Sequence, residues 1–140
     1  MPSSYDDLYE TFLLNTDFDV EDLPQTDEMR HIFIQKAVLQ YNRYAKKYSG
    51  RLQGGLVADD IMEQFNLTLT NDELLILSYL MAEMVAVRIY TSFSSLYATY
   101  AKEMGISNYS ASANAKKALI DLYKEKYISI IEDQIDSFVL

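Results

Sequence analysis

Residues 70–89, with the sequence TNDELLILSYLMAEMVAVRI, carry the strongest local signal in the chain. Thr70 followed by Glu73 is a full capping box, in which each side chain bonds the backbone N–H of the other at a helix start. The helix behind the box is apolar on nearly every side, and a helix of this kind lies at the centre of a bundle or under a neighbouring subunit. Its interruptions are Ser78, Glu83 and Arg88. We therefore predict a central helix over residues 70–104 and leave open whether it bends near Thr91.

The segments on either side also favour helices. Ile34, Val38 and Tyr41 step by four and three residues, which is helical spacing, and no long segment alternates with the period of a strand. The predicted elements are an acidic N-terminal helix and linker (1–25), a helix (26–48), a mobile glycine-containing loop (49–55), a short helix (56–65) and a C-terminal helix (111–140). The sequence thus predicts an all-α single domain over residues 1–140, built as a bundle of four to five helices.

Composition narrows the classes of function. A chain of 140 residues with 49% hydrophobic and 24% charged residues is globular and makes one domain. Without cysteine, and with His31 as its one histidine, it lacks thiolate sites and any site that needs two imidazoles. Glu28 and His31 have the i, i+3 spacing of di-iron bundles, but that site needs a second copy. We therefore expect no enzyme activity, no metal and no cofactor.

Charge is divided into blocks along the chain. Residues 1–28 contain nine acids and no base, whereas residues 29–58 contain six bases and no acid. The net charge of −9 opposes tight, general binding to DNA or to anionic membranes. No segment reaches the roughly 18 uncharged apolar residues of a membrane span, so we expect no membrane contact. The blocks allow pairing within a subunit, pairing between neighbouring subunits, or a basic segment that faces nucleic acid.

Two sets of residues are candidates for contact surfaces. The candidate channel or subunit-contact residues are Arg43, Lys46, Lys47 and Arg51. The candidate subunit-interface residues are Tyr41, Tyr44, Tyr48, Asp17, Asp19, Glu21 and Asp22. Tyrosines at helical spacing suit a half-buried core rim, a protein–protein contact or base stacking beside the lysines and arginines.

In four places the sequence resembles the head–tail connector (adaptor, or head-completion) proteins of tailed bacteriophages. The first two are the opening LYETFL at residues 8–13, before an acidic stretch, and the helix start at residues 26–28 that leads to Ala37 and Tyr41. The others are FNLTLTNDEL at residues 65–74, before the apolar helix, and NYSASAN at residues 108–114, at the start of the last helix. Together they cover most of the chain in the same order.

The resemblance implies a virion structural protein, made in the host cytoplasm and placed in the phage neck. Such proteins form a ring of about twelve subunits under the portal, and a ring of one protein uses two different faces of each subunit. The ring extends the DNA channel without sequence-specific binding and provides a docking surface for the tail or stopper. In this interpretation the loop at residues 49–55 faces the channel or a neighbour. The candidate portal-docking residues are Ile131, Ile135, Phe138 and Leu140.

Other classes of protein remain open on the sequence alone. A different neck or tail-completion protein of a phage is one alternative, and those proteins are usually rich in β-structure. A soluble helical regulator that binds a partner protein is another.

Overall fold

The structure is a computed structural model that describes the backbone of residues 1–47, 52–100 and 106–139. It confirms the all-α class, because the described residues form four helices and one small antiparallel hairpin. The helices are α1 (Tyr5–Asn15), α2 (Asp27–Lys47), α3 (Asn71–Tyr100) and α4 (Ile106–Val139), with a 3-10 turn at Val20–Asp22. The hairpin strands are β1 (Ala58–Asp59) and β2 (Gln64–Phe65).

Helix α3 forms the centre of the bundle and contacts α1, α2 and α4. The predicted capping box is present: Glu73 N donates to Thr70 Oγ1 at 3.2 Å, and Thr70 N donates to Glu73 Oε1 at 2.8 Å. The helix passes Thr91 without interruption and continues to Tyr100. Its core-facing side chains are Ile76, Leu77, Leu80, Met81, Ala82, Val85 and Ala86. Because three helices cover it, α3 is apolar on most of its circumference.

By length and composition, residues 71–96 of α3 would also suffice to cross a membrane. Half of the most apolar stretch of 18 residues in that segment is buried by the rest of the protein, as expected for the core helix of a bundle. The length and apolar composition of α3 are therefore weak evidence for a membrane span, because the buried core helix of a bundle has both properties too.

Side-chain caps are present at the starts of α1 and α2. Ser4 and Asp7 form a reciprocal capping box at the start of α1. Thr26 Oγ1 accepts from Met29 N at 3.2 Å at the start of α2. Helix α1 buries Leu8 and Phe12 completely, and full burial of such a side chain contributes about 1.5–3 kcal/mol.

The predicted short helix at residues 56–65 is wrong, since this segment forms the β-hairpin. Ala58 pairs with Phe65, and Asp59 with Gln64. The carboxylate of Asp59 accepts from the backbone N–H groups of Ile61 and Met62 at 2.9 and 3.2 Å, which closes the turn. Glu63 completes it with a φ of 52°. The apolar spacing suggested a helix, but the side chains of Ile61 and Met62 face solvent.

The N-terminal residues fix this hairpin to the helices. Ser3 N donates to Leu67 O at 3.1 Å, and Phe65 N donates to Ser3 O at 2.8 Å. The hydroxyl of buried Ser3 accepts from Leu69 N at 2.8 Å. The segment before α1 thus lies beside β2, where Ser4 forms a bridge with Gln64.

Two further boundaries differ from the sequence prediction. Helix α4 begins at Ile106 instead of at the predicted residue 111, so polar residues of this segment belong to the last helix. Of the predicted mobile loop, only residues 52–55 lie in the described part, and there Leu52 is buried. Asn42 holds the end of this segment through both the N–H and the carbonyl of Leu56.

Candidate assembly surfaces

An exposed stripe of basic and apolar residues runs along α2. Steps of four and three residues place its members on one side of the helix. Ile32 and Leu39 are 45% and 54% exposed in this stripe. We call the following residues the basic stripe: Ile32, Lys36, Leu39, Arg43 and Lys46. Of the candidate channel or subunit-contact residues, Arg43, Lys46 and Lys47 are exposed, and Arg51 lies outside the described residues.

A groove lies between α2 and α3 beside this stripe, with a volume of about 370 Å³. Phe33, Met84 and Val87 supply its apolar surface, and Lys36 and Arg88 supply positive charge. We call it the α2–α3 groove, and its lining residues are Phe33, Lys36, Glu83, Met84, Val87, Arg88, Thr91 and Ser92. In the part of the chain that the structure describes, its lining comes from these two helices alone.

The end of α1 and the acidic linker form a second exposed surface. Phe18 anchors this segment: its ring lies 6.2 Å from that of Phe12 and 5.4 Å from that of Tyr123 on α4, centroid to centroid. Pro24 is buried at the other end of the linker. The side chains between and beside these anchors face solvent. We call them the arm surface: Leu13, Leu14, Asp17, Asp19, Val20 and Glu21.

Three of the four predicted interface acids belong to the arm surface. Asp17, Asp19 and Glu21 are exposed, whereas Asp22 is half-buried. The apolar members of the arm surface escaped the sequence analysis, although Leu14 and Val20 are 77% and 76% exposed. For Leu14 the sequence did contain an indication, because helical geometry places Leu14 on the side of α1 that faces away from Leu8 and Phe12.

The two charge blocks meet at Arg30 in the described structure. Its guanidinium pairs with Asp27 of the same helix at 2.9 Å and lies 5.5 Å from the ring centroid of Tyr9 on α1. His31 Nε2 approaches a carboxylate oxygen of Glu63 at 3.7 Å. These contacts tie the start of α2 to its surroundings and leave the arm surface exposed.

Tyr41 was predicted at a subunit interface, and the structure places it in the core instead. Its side chain is fully buried, and its hydroxyl donates to Glu73 Oε2 at 2.8 Å. Burial and the bond to Glu73 raise the pKa of the Tyr41 phenol well above its usual range. Its function is to join α2 to the first turn of α3, because α3 covers this face of α2.

Tyr44 also contacts its own subunit. Its ring lies 5.6 Å from that of Tyr127 on α4, and the two hydroxyl oxygens are 3.4 Å apart. The Tyr127 hydroxyl donates to Glu83 Oε2 at 2.8 Å, and burial with these neighbours raises its pKa. Tyr44 is half-buried, so it belongs to a packed rim and not to an open face. Tyr48 lies outside the described residues.

Ile131 was predicted to dock on the portal, and this is wrong because its side chain is completely buried. It packs in the core with Tyr123 and Tyr127 of the same helix. Ile135 and Phe138 lie in the last turns of α4, where the structure describes the backbone only, and Leu140 lies outside the described residues.

The hairpin presents an apolar surface that sequence reasoning missed. Ile61 is 93% and Met62 63% exposed at the turn between β1 and β2, whereas exposed Val57 lies at the opposite end of the hairpin, where it pairs with Asn66. We call Ile61 and Met62 the hairpin tip. The helical spacing assigned to this segment hid the pattern, because in a hairpin the same residues point into solvent.

A hydrogen-bonded cluster fixes the hairpin tip against α1 and α2. The Tyr5 hydroxyl donates to Asp60 Oδ1 at 2.6 Å, and Gln35 Nε2 donates to the same oxygen at 3.1 Å and to Ala58 O at 2.8 Å. Partial burial opposes ionisation of Asp60, but the bonds from Tyr5 and Gln35 and the nearby His31 outweigh it and lower the pKa of the carboxyl. These bonds anchor the chain directly before Ile61 to α1 and α2, and an anchored turn reduces the entropic cost of binding a partner.

A metal site finds no support in the part of the chain that the structure describes. Within residues 1–47, 52–100 and 106–139, no three His, Asp or Glu side chains group in a way that would hold a metal ion. The features that stand out are surfaces: an acidic arm, a basic stripe with a groove, and a rigid apolar tip. The fold and these surfaces define a small helical bundle with several faces suited to protein contacts.

Sequence comparison then identifies the family. The chain belongs to the YomZ prophage protein family, which it matches over residues 1–137. One relative is the SPbeta prophage-derived uncharacterized protein YomZ of Bacillus subtilis (strain 168), which is 30% identical over 135 residues, covering 96% of this chain and 98% of that protein. No solved structure matches the fold. Phage origin is therefore established, in agreement with the resemblance to phage proteins.

Proposed function

We propose that this protein is a virion structural protein that forms a ring between the portal and the tail of its phage. The ring extends the DNA channel and offers a docking surface to the tail or stopper. One observation carries the proposal: a prophage protein with two unlike exposed faces, one acidic and apolar and the other basic and apolar. Unlike faces on one subunit suit a head-to-tail contact, which closes into a ring when the rotation per subunit divides the circle.

The charge distribution suits a channel wall. A net charge of −9 disfavours tight binding of passing DNA, so the duplex would slide without being held. Arg43 and Lys46 belong to the basic stripe on α2, whereas the acids of the arm surface lie earlier in the chain, at residues 17–21. In a ring they face either the channel or the acids of the next subunit, and the second arrangement neutralises both surfaces.

The hairpin tip supplies a surface for a different protein of the neck. Two large apolar side chains held on a rigid turn are suited to fill a pocket on a partner. The C-terminal residues remain a second proposed contact with the portal, now without Ile131. Deletion of residues 134–140 is expected to abolish portal attachment and to leave the helical content nearly intact.

Electron cryomicroscopy of the phage neck tests the proposal. The expected result is ring density for this chain between portal and tail, and loss of the ring with loss of tail attachment when the gene is deleted. Complementation with the intact gene is the control. Particles that lack this chain, or that carry it elsewhere, would show that the proposed function is wrong.

A further inference from the structure

We propose that the arm surface of one subunit docks in the α2–α3 groove of a second copy of this chain. The inference rests on the proposed function, because it names the partner and the contact from which the ring is built. Its support comes from the shape of the groove, the exposed apolar residues of the arm, and the charges on both.

The groove has the size and lining of a site for aliphatic side chains. Its volume of about 370 Å³ is more than twentyfold the roughly 10–15 Å³ that a cavity needs to hold one water. Phe33, Met84 and Val87 would contact an inserted side chain, and methionine adapts to irregular shapes. Val87 is 43% exposed in the isolated subunit, so a ligand in the groove would bury further apolar area there.

The arm of the same subunit does not fill this groove. Phe18 holds the arm on α4, with its ring 5.4 Å from that of Tyr123, whereas the groove is lined by α2 and α3. Leu14 and Val20, 77% and 76% exposed, remain without cover in the subunit. Apolar side chains of this size, grouped on an ordered segment, are typical of an interface.

The charges select the arm as the occupant. Asp17, Asp19 and Glu21 accompany the apolar residues of the arm surface. On the opposite side of the contact, Lys36 and Arg88 border the groove, and Arg43 continues the positive charge along the basic stripe. Glu83 is the acid in the groove lining, and its carboxylate accepts the hydroxyl of Tyr127. Complementary potentials of this kind set the register and exclude wrong partners.

Cysteine crosslinking between two full-length variants tests the contact. The chain has no cysteine, so Leu14→Cys and Val87→Cys each create a protein with a single thiol. We expect a crosslinked dimer when the two variants are mixed and oxidised, and much less from either alone. Because each protein carries one thiol, the mixed product can form only between two chains. Lys124→Cys, an exposed position on α4, replaces Leu14→Cys in the control mixture.

Charge reversal gives a second and independent readout. Lys36→Glu in the Val87→Cys protein is expected to lower the yield of the mixed dimer several-fold. Asp17→Lys together with Glu21→Lys in the Leu14→Cys protein is expected to restore it. Circular dichroism shows that each variant is folded. Folded variants that give no more mixed dimer than the Lys124→Cys control would overturn the inference.

The outcomes separate this inference from the proposed function. A specific mixed dimer from a protein that is absent from the phage neck supports the contact and contradicts the neck function. A ring in the neck without the Leu14–Val87 crosslink supports the function and overturns the contact. The crosslinking experiment therefore tests the contact, and the neck reconstruction tests the proposed function.

Discussion

The phenol of Tyr41 and the carboxylate of Glu73 meet in the core, with 2.8 Å between the hydroxyl oxygen and Oε2. Glu73 is only 5% exposed, and its other oxygen accepts the backbone N–H of Thr70 in the capping box. One buried carboxylate thus starts α3 and fastens it to α2. A buried charge needs such partners, since an unpaired one is costly.

Tyr41→Phe removes one of the two partners of this carboxylate. We expect a loss of about 1.5–3 kcal/mol in the free energy of unfolding, the range for hydrogen bonds to charged groups. Chemical denaturation followed by circular dichroism measures the loss. Tyr90→Phe, at a half-buried position later in α3, removes the same atom and is the matched control. Equal effects of the two substitutions would contradict the assigned function of Tyr41.

Alkaline pH should unfold the protein through its buried tyrosines. Burial, with the neighbouring carboxylates, raises the pKa of Tyr5, Tyr41 and Tyr127 above their usual range. The stability from these neutral phenols is fully present below about pH 10, where tyrosine in an unfolded chain begins to ionise. It is lost as the pH rises further, because the unfolded chain then releases protons that the folded chain retains.

Ultraviolet absorbance and circular dichroism, recorded together against pH, check this expectation. A group of tyrosines should ionise only as the helices unfold. In Tyr41→Phe, one such group is missing, so stability should fall less steeply with pH above about 10. Complete tyrosine ionisation in a protein that keeps its helices would contradict the prediction.

Acid should weaken the attachment of the hairpin through Asp60. The pKa of this carboxyl is lowered in the folded chain, so its contribution is present above the unfolded value of about 3.9. That contribution is lost as the pH falls through the folded value, because protonation disrupts the bonds from Tyr5 and Gln35. The stability difference between wild type and Asp60→Asn should therefore be present at neutral pH and shrink below about pH 4.

Urea unfolding of both proteins at neutral and acid pH measures this difference. Asp121→Asn, at an exposed position on α4, is the matched control and should show little difference at either pH. A stability difference for Asp60→Asn that stays constant down to low pH would mean that the carboxylate charge is not what Tyr5 and Gln35 recognise.

Sequence predicts this fold best where the signal is local. The capping box at Thr70 depends on two residues three apart, and it appears in the structure. The sequence did not predict the hairpin, because its turn contains no glycine. The turn depends instead on the Asp59 side chain and on a positive φ at Glu63. Helical spacing at residues 57–65 therefore suggested the wrong element.

The sequence predicted the charge of the candidate surfaces but not which of their side chains are buried. Charge blocks are visible in sequence, and exposed Asp17 and Arg43 agree with them. Periodicity shows that Tyr41 and Ile131 lie on apolar faces, but not which helix covers each face. In the structure α3 covers Tyr41 and the core encloses Ile131, so both are internal contacts. The ring, the portal contact and the DNA channel remain predictions.

Substitutions at the hairpin tip should change the binding of a partner without changing the stability of the subunit. Ile61→Ser and Met62→Ser change side chains that are 93% and 63% exposed, so we expect free energies of unfolding within about 0.5 kcal/mol of wild type. If the tip fills a pocket on another neck protein, the double variant should bind tailless particles much more weakly than wild type. Leu122→Ser, at a 44% exposed position on α4, is the matched control and should bind normally. Full binding by the folded double variant would show that the neck contact lies elsewhere, whereas a large loss of stability would show that the tip packs within its own subunit.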